Sequence, residues 1–148
     1  MVSRSDVIDS CTSIGTERHR DAGIALACNL KTMQGGSWLA KILPPGRPSP
    51  GIRVLELGAG CGIVGIAIAH VTRCADVLLT DLPEAREIVE QNIDQAVLAK
   101  GSSLRFQELD WDTNLPSDCQ FSTSPLDLVV AADCTYNADS RYDFAFHL

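Results

Sequence analysis

No CxxC pair, no regular cysteine spacing and no histidine grouping occur in this chain of 148 residues, although it has six cysteines and three histidines. That argues against a disulfide framework and against a metal cluster, and it points to a reducing compartment. Long apolar runs are lacking too. The most apolar window, Gly62 to Val71, is about half of what a membrane span needs and contains His70, so no membrane association is expected. Positive charge is scarce: 12 Lys and Arg against 19 Asp and Glu leave a net charge of −7, with no basic stripe to displace counterions from a polyphosphate. Nucleic acid is therefore not an expected partner, whereas a basic protein or a small cation suits this charge better. The opening MVSRSDVIDS has no apolar core segment, so no secretory leader is expected, and the cytoplasm or nucleus is the expected location. No nucleophile elbow, phosphate loop or metal motif is present. What remains is an ordinary globular composition, 45% hydrophobic and 21% charged, of a length suited to one domain.

The chain divides at a proline-rich run. Residues 1–50 read as an N-terminal extension and linker, and residues 51–148 as the main domain. Residues 1 to 20 are polar and mixed in charge, and are expected to be mobile or loosely docked. Two apolar patches follow, Ala22–Leu30 and Ser37–Leu43, split by Gly35 and Gly36; the second reads as a short helix ending before Pro44 and Pro45. PPGRPSPG over 44–51 can hold neither a helix nor a central strand. From there apolar strands alternate with helices. Strands are predicted over Arg53–Leu57, Ala75–Thr80, Leu104–Leu109 and Leu126–Ala132. A helix apolar nearly all round is predicted over Gly62–Thr72. A second starts at Pro83 and closes at Gly101, with Ala85, Ile88, Val89, Ile93, Ala96 and Val97 as one apolar stripe. The pattern predicts an α/β fold, a doubly wound Rossmann-like parallel sheet with right-handed crossovers.

The most informative stretch is Val54 to Gly65, VLELGAGCGIVG. A strand, a glycine turn and an apolar helix in that order form the nucleotide-side entrance of such a sheet, where the backbone turns sharply and admits a ligand closely. Gly60, Gly62 and Gly65 satisfy GxGxxG, so a nicotinamide dinucleotide site is one reading. Two features pull away from it. Glu56 sits two residues before Gly58, where a carboxylate repels a diphosphate and attracts an ammonium. Gly58 also begins the turn early. Asp81 ends the second strand 21 residues past Gly60, where a carboxylate meets a ribose diol. A capping role before Pro83 is the plainer reading of Asp81, and a satisfied core acid that of Glu56.

Four stretches in register make a family resemblance specific: Glu56-Leu57-Gly58-Ala59-Gly60-Cys61-Gly62, Leu79-Thr80-Asp81-Leu82-Pro83-Glu84, Leu109-Asp110-Trp111, and Ala131-Ala132-Asp133-Cys134-Thr135-Tyr136-Asn137. Together they resemble the seven-β-strand S-adenosylmethionine-dependent methyltransferases, family 16, over roughly residues 52–140. A weaker echo lies at Gly36-Ser37-Trp38-Leu39-Ala40. The family includes many protein-lysine methyltransferases and some nicotinamide methyltransferase-like members. The resemblance implies S-adenosyl-L-methionine as cofactor and a methyl transfer to an amine, most commonly a protein lysine. It sets Glu56, Gly58, Ala59, Gly60 and Gly62 beside the methionine portion, and Asp81 with Leu82 at the ribose. Asp110 and Trp111 stand near the adenine, Ala132 on the cofactor floor, and Trp38 closes over it. Trp111 also reads as plain core. Asp133 and Tyr136 form the family's DxxY pair, Asp133 positioning the amine and Tyr136 shaping the slot; a helix-capping aspartate is the bland alternative. Cys134-Thr135 stands where enzymes that methylate DNA bases or glutamine carry Pro-Pro, which speaks against those acceptors.

The chain departs from the family at its end. A complete fold of this class has seven strands in the order 3-2-1-4-5-7-6, and only the first four are recognisable here. The sequence ends 12 residues after Tyr136, in RYDFAFHL, whose alternation reads as a strand. A C-terminally truncated chain is the expectation, with an open edge on the fourth strand, weak stability and self-association through that edge. The alternatives to catalysis on protein lysine are a non-catalytic remnant that binds cofactor or a partner, and a small-molecule, nicotinamide-like N-methyltransferase.

Overall fold

The computed structural model describes residues 21–32, 51–111, 125–132 and 134. Branched apolar residues build its centre. Strand β1, Ile52–Leu57, and strand β2, Ala75–Asp81, are buried along almost their whole length, as expected of strands covered on both faces. Strand β3, Ser103–Glu108, flanks β2, and strand β4, Leu128–Ala131, flanks β1. All pairings are parallel and the order is β3-β2-β1-β4, with Glu56 opposite Leu79 on one side and Val130 on the other. This is the predicted α/β architecture with its first four strands in place.

Three helices among the described residues cover one face. Helix α1 is Asp21–Thr32, helix α2 Ile63–Val71 and helix α3 Arg86–Gln95. Leu30 of α1, Val64, Ile66 and Ile68 of α2 and Val89 of α3 meet Ile52, Val54, Val77, Leu79 and Leu104 of the sheet in one cluster. Gly65 lets α2 settle onto β2, because a Cβ there would lie 2.2 Å from Leu79 Cδ2. The opposite face carries a smaller cluster of Leu55, Leu57 and Leu78, against which Leu109, Trp111 and Leu126 pack. At the start of β4 the Arg53 N–H donates to Asp127 Oδ2 at 2.7 Å and the Asp127 N–H to the Arg53 carbonyl at 3.0 Å, which fixes β4 in register.

The predicted strands are shifted by one or two residues at their ends. The second helix differs more. Pro83–Ala85 forms a 3₁₀ turn, α3 ends at Gln95, and Ala96 is already extended with ψ 136°. Residues 96–100 lie along α2 and are held by tertiary bonds. The Ala99 N–H donates to the Ala69 carbonyl (2.9 Å), the Cys74 N–H to the Lys100 carbonyl (3.1 Å), and His70 Nδ1 to the Val97 carbonyl (2.7 Å). Val97, expected on the apolar stripe, is 57% exposed. The helix predicted over part of 37–43, the proline-rich linker and the RYDFAFHL strand lie outside the described residues. No helix among the described residues is long and apolar enough to cross a membrane.

Candidate functional site

The turn between β1 and α2 is built from left-handed backbone. Gly58, Gly60 and Gly62 have φ of 60°, 58° and 78°, a region that side-chain-bearing residues rarely occupy. The Gly62 N–H closes the turn on the Ala59 carbonyl at 2.8 Å, and the Gly62 carbonyl accepts from the Ile66 N–H at 3.0 Å, which starts the helix. Gly60 is exposed, and a Cβ there would meet no atom of the described residues within 4 Å. Among the described residues the outer side of the turn is therefore uncovered, at the carboxyl ends of β1 and β2, where sheets of this kind take ligands.

Asp81 closes β2 beside that turn. Its Oδ2 accepts from the Gly60 N–H at 2.6 Å and its Oδ1 from the Leu82 N–H at 2.7 Å. The Ala59 N–H also donates to the Thr80 carbonyl at 3.0 Å. The acid expected to face a ribose is thus also the strut that fixes the glycine turn. Leu82, next to it, is 47% exposed.

Glu56 lies beneath the turn. It is 2% exposed, and its Oε2 accepts from the Gly65 N–H at 2.7 Å. Burial pushes its carboxyl up from 4.5 to about 8; the Gly65 bond pulls it down, and the neighbouring charges of Cys61 and Asp81 push it further up. Near neutrality it holds a proton, so the repulsion of a diphosphate expected from its charge does not operate there. Its role is under the backbone, not in the open crevice.

A pH dependence follows. The unfolded chain ionises this carboxyl near 4.5 and the folded protein near 8, so between those values the folded state binds one more proton. Below 4.5 both states are protonated and no penalty applies; as pH rises towards 8, folding stability falls, and beyond it the loss is complete. Glu56→Gln keeps an acceptor for Gly65 and carries no charge. The melting temperature of E56Q is expected to match wild type at the acid end and exceed it by several degrees at the alkaline end. Parallel melting profiles for the two proteins would contradict this.

Trp111 and Cys134 pack against Gly58 from the far side. A Cβ on Gly58 would lie 2.9 Å from Cys134 Sγ and 3.3 Å from the Trp111 ring. The Cys134 thiol donates to the Leu57 carbonyl at 3.1 Å, which joins the end of β4 to the end of β1. Trp111 is half-buried, packed on the Leu55–Leu57–Leu78 cluster and next to Gly58 of the turn. Ala59 is buried, Asp110 is exposed, and Ala132 is half-buried just past β4. Trp38, Asp133 and Tyr136 lie outside the described residues. Among the described residues no group of three His, Cys, Asp or Glu side chains is placed to hold a metal.

Two contributors were not anticipated. Thr80 Oγ1 donates to the Glu56 carbonyl at 2.7 Å within the core, and Asn92 Nδ2 donates to the Cys61 carbonyl at 2.8 Å. Asn92 carried one available signal: a polar residue set among Ile88, Val89 and Ile93 on the inward stripe of α3.

The family model described as lysine methyltransferase matches residues 10–145. The chain is 28% identical over 144 residues to calmodulin-lysine N-methyltransferase of Arabidopsis thaliana, covering 93% of this chain and 46% of that one. It is 35% identical to protein-lysine N-methyltransferase rrg1 of Schizosaccharomyces pombe, over 60% of this chain and 30% of the relative. It is 40% identical to EEF1A lysine methyltransferase 3 of Mus musculus, over 58% of this chain and 34% of the relative. The matches thus span less than half the length of each of these relatives. With the family model matched over residues 10–145, this chain belongs to the lysine methyltransferase family.

Proposed function

We propose that the chain binds S-adenosylmethionine across the carboxyl ends of β1 and β2, and that the protein transfers the methyl group to a lysine amine of a protein substrate. The observation that carries this is the glycine turn strapped to Asp81, with its outer side at Gly60 uncovered among the described residues. The donor set suits such a cofactor. A carboxylate has about four acceptor positions, and Asp81 uses two on the Gly60 and Leu82 N–H groups, which leaves one on each oxygen for a ribose diol. Exposed Leu82 and the Trp111 indole offer apolar surface for an adenine, with Asp110 next to Trp111 in the chain, and Ala132, just past β4, is assigned to the cofactor floor. Gly58, Ala59 and Gly62 shape the backbone against the methionine portion, and Glu56 supports it from below. Trp38 is assigned the closing position over the cofactor.

When bound, the cofactor supplies an electrophilic methyl group on a cationic sulfur. The protein's task is then to align a neutral amine in line with that group and to exclude water. We assign the alignment to Asp133, whose carboxylate accepts hydrogen bonds from the incoming ammonium and helps it lose a proton, and the slot wall to Tyr136. Protein lysine as acceptor is supported by the names of the calmodulin and EEF1A methylating relatives. Radiolabelled methyl transfer from adenosylmethionine into protein substrates tests the assignment. Wild type is expected to label lysine. Asp133→Ala should transfer roughly 100-fold more slowly, at the low end of what a positioned acid–base group contributes, while binding adenosylhomocysteine about as well as wild type. Equal transfer by the two proteins would remove Asp133 from the reaction.

A further inference from the structure

The buried amide of Asn92 is not part of the cofactor crevice, yet it grips the turn that forms it. At the start of α2 a regular helix extended by one residue would pair the Cys61 carbonyl with the Gly65 N–H. Here two buried side chains from other elements take those groups instead. Glu56 of β1 accepts from the Gly65 N–H at 2.7 Å, and Asn92 of α3 donates to the Cys61 carbonyl at 2.8 Å. The substitution keeps both main-chain groups satisfied while letting the chain leave helical geometry, so that the turn Ala59–Gly62 can close on itself. Asn92 is 8% exposed and shares the inward side of α3 with Val89, which is fully buried. A primary amide in that position costs desolvation unless bonded, and an apolar residue would satisfy the packing alone. Helix α3 is itself anchored to the sheet, since Arg86 Nε donates at 3.0 Å to Oε1 of Glu108, the last residue of β3, and its guanidinium lies 5.2 Å from the ring centre of Phe106 on the same strand.

We infer that Asn92 is a positioning residue for the cofactor turn: through its bond to the Cys61 carbonyl it sets the orientation of the Cys61–Gly62 peptide, in the turn against which the methionine portion of the cofactor is held. This rests on the cofactor assignment above. Asp81 fixes the turn from β2 through Gly60, Glu56 fixes its helix side from β1, and Asn92 fixes the intervening peptide from α3. The three side chains act on successive parts of one backbone segment from three different elements.

The test uses the full chain with two variants, Asn92→Leu and Asn92→Asp. Leucine keeps volume and removes the donor; aspartate keeps shape and turns an acceptor towards the carbonyl. Calorimetric titration with adenosylhomocysteine is expected to show affinity weakened about 10-fold in each, the worth of one neutral hydrogen bond of about 1.4 kcal/mol. The affinity loss is expected to persist at temperatures where each variant is fully folded by near-ultraviolet circular dichroism, which a general loss of stability would not produce. In wild type, the side-chain amide resonances of Asn92 should shift on adding adenosylhomocysteine, a readout that needs no variant to fold. Variants within twofold of wild type, or unmoved Asn92 resonances in a wild type that binds, would overturn the inference. A wild type that binds no adenosylhomocysteine would instead overturn the cofactor assignment, and with it the premise used here.

Discussion

Replacing Asp81 by alanine is expected to raise the dissociation constant of adenosylhomocysteine by roughly 100-fold, or about 2.7 kcal/mol. Two losses combine. The carboxylate holds the Gly60 and Leu82 N–H groups at 2.6 and 2.7 Å, and hydrogen bonds to a charged group are worth about 1.5–3 kcal/mol each. Its remaining acceptor positions are the ones assigned to the ribose diol. Alanine therefore removes a ligand contact and frees the turn at once. Asp81→Asn should recover little, because one of the two main-chain donors would then face an amide NH2. Calorimetry on the three proteins decides this. Affinity for D81A within threefold of wild type would show that the β2 acid neither holds the nucleoside nor stiffens the turn.

Gly65→Ala is expected to give the largest loss of stability, about 3 kcal/mol, the upper part of the range for overpacking a filled core. The added methyl would lie 2.2 Å from Leu79 Cδ2, 2.6 Å from Glu56 Oε2 and 3.1 Å from Val77 Cγ1. Each of those side chains is itself buried, Leu79 and Val77 completely and Glu56 to 2% exposure, so none can swing aside into solvent. Relief requires α2 to lift from β2, which would also break the bond from the Gly65 N–H to Glu56 and open the core beneath Val64 and Ile68. In a domain of this size each kcal/mol corresponds to about 3–4 °C, so the melting temperature should fall by roughly 10 °C. Gly60→Ala is the matched control: its Cβ enters open space, and its penalty is the left-handed φ of 58° alone. A G65A melting temperature within about 2 °C of wild type would contradict the close helix–sheet packing.

How far the sequence discloses this molecule depends on where each signal comes from. Strands β1 and β2 were legible because runs such as VLEL and VLLT are apolar, branched and bounded by glycine or charge. The end of α3 was not. Ala96 and Val97 continue the apolar stripe and Gly101 looks like a stop, but Ala96 is already extended and bonds to Ala69, His70 and Cys74 hold residues 97–100 out of the helix. Local pattern yields there to tertiary contact.

The site divides along the same line. The spacing from Gly60 to Asp81 located the acid, since a βαβ unit brings those two positions to one edge. That Asp81 also takes the Gly60 N–H is a matter of a few ångströms, which spacing does not fix. Glu56 was read from its charge, yet burial determines its proton and places it below the turn. Asn92 was assigned no role from the sequence, because its partner, the Cys61 carbonyl, is 31 residues away in sequence and belongs to the main chain. Side-chain bonds to distant backbone leave no periodic trace. The family model was within reach because its signals are strings: four short motifs in order survive in the sequence whatever the tertiary detail.

One titration reaches the centre of this account, the grip of the Gly58–Gly62 turn and Asp81 on a sulfonium nucleoside. Adenosylhomocysteine and NAD are each titrated calorimetrically into the 148-residue protein and into D81A. The expected result is saturable binding of adenosylhomocysteine to wild type, one molecule per chain, strongly weakened in D81A, with no heat from NAD. Saturable binding of NAD, or adenosylhomocysteine binding that D81A leaves unchanged, would contradict it.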